Sequence, residues 1–263
     1  MTKAYLIGIV SIFLLSTSCS TTSEGRKQLV LMPESQMSQL GADSFSQMKT
    51  KMRVDGSHAK NAYVRCIVDP LIRAQGDDPA KWEVKVFSEE SANAFALPGK
   101  KIGVHNGMLK VAKDQDQLAA VLGHEIGHVA ARHGNERVSQ SLIAQGGLAA
   151  VDAAAGGGEG NGTLMAALGL GAQFGVLMPH GRKQESEADV IGLRLMAQAG
   201  FNPEGAVALW ENMAKAGGGS PPEFMSTHPS HSTRIENLRS KLPEVSPTYE
   251  NAKRAGKINI CRI

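Results

Sequence analysis

The sequence predicts a mainly α chain with one small β-sheet, an α+β fold built as one large domain. Three observations carry this. Apolar residues recur at helical spacing along much of the chain, Trp82 to Phe87 alternates instead, and Pro98-Gly99-Lys100 is a turn signal between two further short runs. With 42% hydrophobic and 20% charged residues the composition is that of an ordinary globular protein. A net charge of +3, with no basic block interleaved with aromatics, argues against nucleic acid as a partner.

At the start of the chain, Lys3 precedes an apolar run from Ala4 to Leu15. That run is too short for a bilayer core, which needs about 20 apolar residues, and has the length of a signal h-region. Ser16-Thr17-Ser18 followed by Cys19 resembles a bacterial lipobox, which implies a signal peptide at 1–18 and lipidation of Cys19. Residues 19–32 then read as a polar, lipid-anchored tether. Ser20, rather than Asp, after the cysteine resembles Gram-negative lipoproteins and implies the periplasmic face of the outer membrane. No apolar run of membrane-spanning length follows, so the rest is expected to be soluble apart from its lipid.

The main domain is expected over 33–245. Pro33 to Met52 and Ala59 to Ala74 read as helices, Trp82 to Phe87 as a strand, and Asn93 to Leu97 with Lys101 to His105 as a hairpin. An edge strand beside a functional helix binds an extended polypeptide by adding it to the sheet. Asn93, Ala94, Phe95 and Gly103 are therefore candidate substrate contacts, and His105 is placed on the same edge. The next helix has Asp114 as N-cap with Gln117 three residues on, a capping box. Leu118, Val121, Leu122, Ile126 and Val129 form its apolar stripe, and Gly134 is its expected stop. Gly146 to Gly175 is Gly/Ala-rich and reads as a flexible loop or lid. A helix opens at Glu185, others cover Pro203 to Lys215 and Ser230 to Leu242, and 246–263 is a C-terminal strap.

The chemistry lies in His124-Glu125-Ile126-Gly127-His128. Two histidines four apart on a helix project from one face, so both reach one zinc ion, and the glutamate between them is placed to take a proton from water and deliver it to a leaving amine. The spacing implies a zinc peptidase. Gly127 is expected to keep the space beside the ligands open. A catalytic zinc takes a third protein ligand, and the best donor is Glu185-Ser186-Glu187-Ala188-Asp189. There Glu185 and Asp189 share a helix face while Glu187 points about 160° away. One carboxylate of the pair binds metal and the other orients a ligand histidine. His133 falls on the opposite face and reads as a helix-end residue.

His124-Glu125-x-x-His128 followed by Glu185-x-x-Ala188-Asp189 resembles the gluzincin metallopeptidases related to HtpX and the CAAX prenyl endopeptidase. Thr227-His228-Pro229-Ser230 with Arg234, and the segment Asn93 to Gly99, are similar to two further elements of that family. The resemblance implies a zincin-like core with one zinc per chain, held by His124, His128 and Glu185. It makes Glu125 the general base, Asp189 the partner of a ligand histidine, and His228 a catalytic group that donates to the oxyanion; physical chemistry equally permits an imidazole on that Gly- and Pro-rich loop to plug the open metal position and keep the enzyme latent. Arg234 is placed with the catalytic residues, holding the His228 loop or helping His228 in its role. Within the family, the chain resembles the periplasmic BepA and LoiP branch, which implies unfolded or unassembled envelope proteins as substrates. A chaperone-like or assembly-docking zinc protein is the competing reading. A structural zinc domain is disfavoured, because such sites are closed by four protein ligands, commonly with cysteines, and neither Cys66 nor Cys261 lies near the cluster. Those two cysteines are instead expected to pair, closing a long loop worth about 3 to 5 kcal/mol.

Overall fold

A computed structural model describes residues 19–154, 181–216, 223–228 and 233–263. The expected signal peptide and the Gly/Ala-rich stretch beyond Ala154 lie outside them. The segment expected to be a polar, lipid-anchored tether carries a hairpin: β1 (Cys19–Thr21) and β2 (Lys27–Leu29) pair antiparallel across a turn with Gly25 at φ 81°. Docking is polar. The Leu31 amide donates to Ser139 Oγ at 2.8 Å, Asn135 Nδ2 donates to the Met32 carbonyl at 2.7 Å, and Arg26 reaches two buried glutamates.

A three-stranded sheet follows, in the order β3 (Glu83–Phe87), β5 (Lys101–His105), β4 (Ala94–Leu97). β4 and β5 form the expected antiparallel hairpin, with Phe95 opposite Gly103, and β3 lies parallel to β5. β5 is therefore central and only β4 is the edge on this side. His105 is consequently buried, with Nδ1 2.8 Å from Ser91 Oγ, and is not an edge residue. At the hairpin turn Gly99 adopts φ 78° and lies so close to α1 (Glu34–Lys51) that a Cβ would come within 2.6 Å of the Ser38 carbonyl oxygen. No L side chain fits there.

α2 (His58–Ala74) is capped by Ser57, whose side chain accepts from the Lys60 amide, and contributes Val64, Ile67, Val68, Leu71 and Ile72 to the main core. α3 (Asn106–Val111) leads into α4 (Gln115–Ala130). Asp114 accepts from the Gln117 amide at 2.8 Å, as the capping box requires, while the Gln117 side chain accepts from Lys113 instead of Asp114. The stop comes earlier than Gly134: α4 ends at Ala130, Arg132 takes φ 58°, and α5 (His133–Ala154) begins at once. A non-glycine residue in the left-handed region leaves no compositional mark, so sequence placed the break at the glycine. α5 also carries helix through Ala154, into the stretch expected to be loop.

Beyond lie α6 (Arg182–Ala199), closed by Gly200 at φ 84°, α7 (Glu204–Ala216), the short α8 (Glu223–Thr227) and α9 (Arg234–Arg254). α9 runs through Pro243 and Pro247, so the strap expected from 246 starts only after Arg254. Burial of Leu238, Val245 and Ala252 along one face outweighs the helix-breaking prolines. The remaining strap forms no strand. It is held by Gln115, which donates to the Asn259 carbonyl and accepts from the Cys261 amide, and by the expected Cys66–Cys261 disulfide, with Cα atoms 5.7 Å apart. No described helix is long and apolar enough to cross a membrane.

Candidate metal centre

The site is built where α4 and α6 touch through small residues. A Cβ added to Gly127 would lie 3.0 Å from the Ala188 carbonyl oxygen, and one added to Gly192 would lie 3.0 Å from the His124 amide nitrogen. Gly127 thus admits the neighbouring helix, where sequence expected it to leave space beside the ligands. This approach brings the first turn of α6 against the two histidines of α4.

Four donors converge there: His124, His128, Glu185 and His228, all buried, with ligand atoms within 4.8 Å of one another. His124 Nε2 is 3.0 Å from His128 Nε2, 3.2 Å from His228 Nδ1 and 3.4 Å from Glu185 Oε2. Glu185 Oε1 is 3.4 Å from His128 Nε2 and 3.1 Å from His228 Nδ1. A tetrahedron with metal–ligand bonds of about 2.0 to 2.1 Å has edges of about 3.3 to 3.4 Å. Nitrogen and carboxylate donors at these separations fit a zinc ion, and His228 stands at the fourth corner.

Behind His124, Nδ1 lies 3.0 Å from Asp189 Oδ1. Arg234 pins that carboxylate and the ligand carboxylate together, donating to Asp189 Oδ1 at 2.6 Å and to Glu185 Oε2 at 2.8 Å while its guanidinium carbon sits 3.8 Å from the Trp210 ring centroid. Arg234 therefore serves the carboxylates beneath the site, where the resemblance placed it in support of the His228 loop. Of the two carboxylates that spacing left equivalent, Glu185 enters the cage and Asp189 backs it. Burial opposes ionisation of Glu185, yet the charge and hydrogen bonds of His124, with those of His128 and His228, hold it well below the usual carboxylate range. Burial likewise opposes a charged His124, but Glu185 and Asp189 raise its pKa to about 9, so a proton there competes with a metal ion.

Behind His128 stands a group that sequence missed. His128 Nδ1 is 2.8 Å from His133 Nδ1, and His133 Nε2 is 3.1 Å from Glu187 Oε2. Helical spacing had placed His133 on the far face. The break at Arg132 turns it back onto His128, and burial lowers its pKa to about 4. Glu187, on the side of α6 away from Glu185 and Asp189, is the carboxylate for this second chain of contacts.

Glu125 is buried beside the cage. Its Oε2 accepts from the Ala96 amide on β4 at 3.0 Å, its Oε1 lies 3.3 Å from His228 Nε2, and burial raises its pKa. The edge strand thus lies against the glutamate. Ala94 is buried, and Asn93 donates to Glu223 at 3.2 Å, helping to seat α8 and its stacked pair Phe224 and His228, whose ring centroids are 4.4 Å apart. The Phe95 ring covers Gly103, where a Cβ would meet it at 2.3 Å. Asn93 and Gly103 are therefore scaffold here, and Ala96 is the strand residue that meets the site.

A buried cage of this donor set, with a glutamate from the same helix beside it, defines a zincin-type metallopeptidase. The chain belongs to peptidase family M48, whose sequence profile matches residues 58–242. It is 40% identical to mitochondrial metalloendopeptidase OMA1 of Schizosaccharomyces pombe over 74% of its own length and 57% of that protein, and 34% identical to OMA1 of Saccharomyces cerevisiae over 70% and 54%. To metalloprotease LoiP of Escherichia coli K12 it is 26% identical, over 82% of the chain and 84% of that protein. The chain thus spans little more than half of the two mitochondrial relatives. Their greater similarity overturns the Gram-negative outer-membrane address read from the N-terminus. A lipobox is a few residues of common types, whereas these matches cover most of the chain.

Proposed function

We propose that the chain is a zinc-dependent endopeptidase acting on extended or unfolded polypeptide, with His228 closing the site in the conformation described here. The four-donor cage with Glu125 against it is the observation that carries this reading. When bound by His124, His128 and Glu185, zinc supplies Lewis-acid chemistry at a scissile carbonyl. Glu125, fixed by the Ala96 amide through one oxygen, uses the other to take a proton from the attacking water and hand it to the leaving amine. β4 is the outer strand of the sheet among the described residues, and addition of a substrate backbone along it favours extended chains over folded ones.

Of the two roles open to His228, closure is favoured by its Nδ1 standing 3.1 Å and 3.2 Å from two other donors. A catalytic zinc site keeps one position open, so activity requires that this ring leave. Cleavage of unfolded casein by zinc-loaded protein tests the proposal. Glu125→Gln is expected to bind zinc and lose activity by about 10²- to 10⁴-fold. His228→Ala is expected to raise a low wild-type rate by about tenfold or more. Collapse of activity in His228→Ala would instead make this ring an oxyanion donor, and zinc binding with no cleavage by any form would favour a docking role.

A further inference from the structure

We propose that Arg26, in the β1–β2 hairpin, is a positioning residue of the metal centre, acting on His128 through Glu187 and His133. The inference rests on the zinc reading above. His128 presents Nε2 to the cage, so its remaining proton sits on Nδ1, which lies 2.8 Å from His133 Nδ1. His133 must accept there and therefore carries its own proton on Nε2, which faces Glu187 Oε2 at 3.1 Å. The same oxygen accepts from Arg26 Nε at 2.6 Å. The other two guanidinium nitrogens clamp Glu136 at 2.6 Å and 2.8 Å, and Glu136 is held in turn by Gln184 at 2.7 Å. With zinc on His128 Nε2 and His133 neutral, this is the assignment of protons that satisfies the chain from His128 to Arg26.

The arrangement mirrors the other ligand. His124 is backed directly by Asp189, which Arg234 pins; His128 is backed through His133 by Glu187, which Arg26 pins. The difference is origin. Arg234 belongs to α9, whereas Arg26 arrives on a separate hairpin whose docking uses polar contacts to α5 and α6. Partners of this kind fix the tautomer and orientation of a metal-bound imidazole. Seating of the hairpin is thereby coupled to how tightly the centre holds its ion.

The test is zinc affinity of the full chain by chelator competition, in a cycle of wild type, Arg26→Ala, His133→Ala and the double variant, with the visible spectrum of the cobalt-loaded forms as a second readout. Arg26→Ala and His133→Ala are each expected to weaken binding by about 10- to 100-fold. The double variant is expected to be no weaker than His133→Ala alone, because Arg26 acts through that ring. The cobalt spectra of both single variants should shift alike. Additive losses, or unchanged affinity in Arg26→Ala, would overturn the proposal. Should Arg26→Ala not fold, Arg26→Lys, which keeps a charge for Glu136 but loses the planar fork, carries the same cycle. Failure of wild type itself to bind zinc would sink the reading of the centre instead, separately from the role of Arg26.

Discussion

Asp77 shows how single side chains hold the hairpin that carries the edge strand. Its carboxylate accepts from Lys100 Nζ and from Trp82 Nε1 at 2.9 Å, joining the end of α2 to the β4–β5 turn, where Lys100 takes φ 63°. The Lys100 hydrogen bond, against the opposing effect of burial, lowers the Asp77 pKa from 3.8 to about 2. A carboxylate whose folded pKa is depressed contributes stability above its unfolded value and loses it as pH falls through the folded value. Asp77→Asn is therefore expected to lower stability by about 1 kcal/mol at neutral pH, the pair being partly exposed. That gap should hold down to about pH 4 and close toward pH 2, as read from urea midpoints of the two proteins.

Between α4 and α6 the unit of function is a pair of helices rather than any one ligand. Gly123 faces Gly192 and Gly127 faces Ala188, so the two backbones approach closely and set the distance from Glu185 to the histidines. Gly127→Ala would place its Cβ 3.0 Å from a carbonyl oxygen and 3.3 Å from the Ala188 Cα, neither of which is a flexible side-chain end. Its expected cost is about 1 to 3 kcal/mol of stability. Zinc affinity should fall with it, although no ligand has been touched. Thermal unfolding with and without zinc checks this: unchanged zinc-induced stabilisation would mean that the helix spacing does not control the site. Gly134, where an added Cβ would lie 3.5 Å from Pro98 Cγ in ordinary van der Waals contact, is the matched control and should tolerate alanine.

Across the whole molecule, covalent and polar ties join segments far apart in the chain to the catalytic helices. The Cys66–Cys261 bridge closes a separation of 195 residues and holds the strap against Gln115, at the first turn of α4. Cys66→Ser with Cys261→Ser is expected to lower stability by about 2 to 5 kcal/mol, visible as a drop in urea midpoint with a steeper slope, because the unfolded chain freed of the crosslink exposes more surface. Cleavage in the absence of denaturant should be nearly unaffected, because the strap meets α4 at its first residue, Gln115, ahead of the turns that carry His124 and His128. A large loss of activity at full folding would show that the strap supports the active helix directly.

How much of this was legible beforehand follows from what is local and what is not. The α4 helix, its Asp114 cap, the pair His124 and His128, the β4–β5 hairpin and the cysteine pair were all readable, because periodicity, capping and motif spacing act within a few residues. Glu185 and Asp189 were readable as a pair sharing a face, but spacing could not say which entered the cage. His133 was misplaced, because the left-handed turn at Arg132 is paid for by tertiary contacts and leaves no glycine to mark it. Glu187 and Arg26 joined the centre only once α5, α6 and the N-terminal hairpin had packed, and His228 reached the fourth corner only through the seating of α8 by Asn93 and Phe224. Residue types and short-range spacing thus specify which groups can do metal chemistry. Which of them meet, and in what protonation pattern, depends on distances between segments far apart in the chain, from 54 residues for His133 and Glu187 to 110 for Arg26 and Glu136, set by close backbone packing and buried charge pairing that no local pattern encodes.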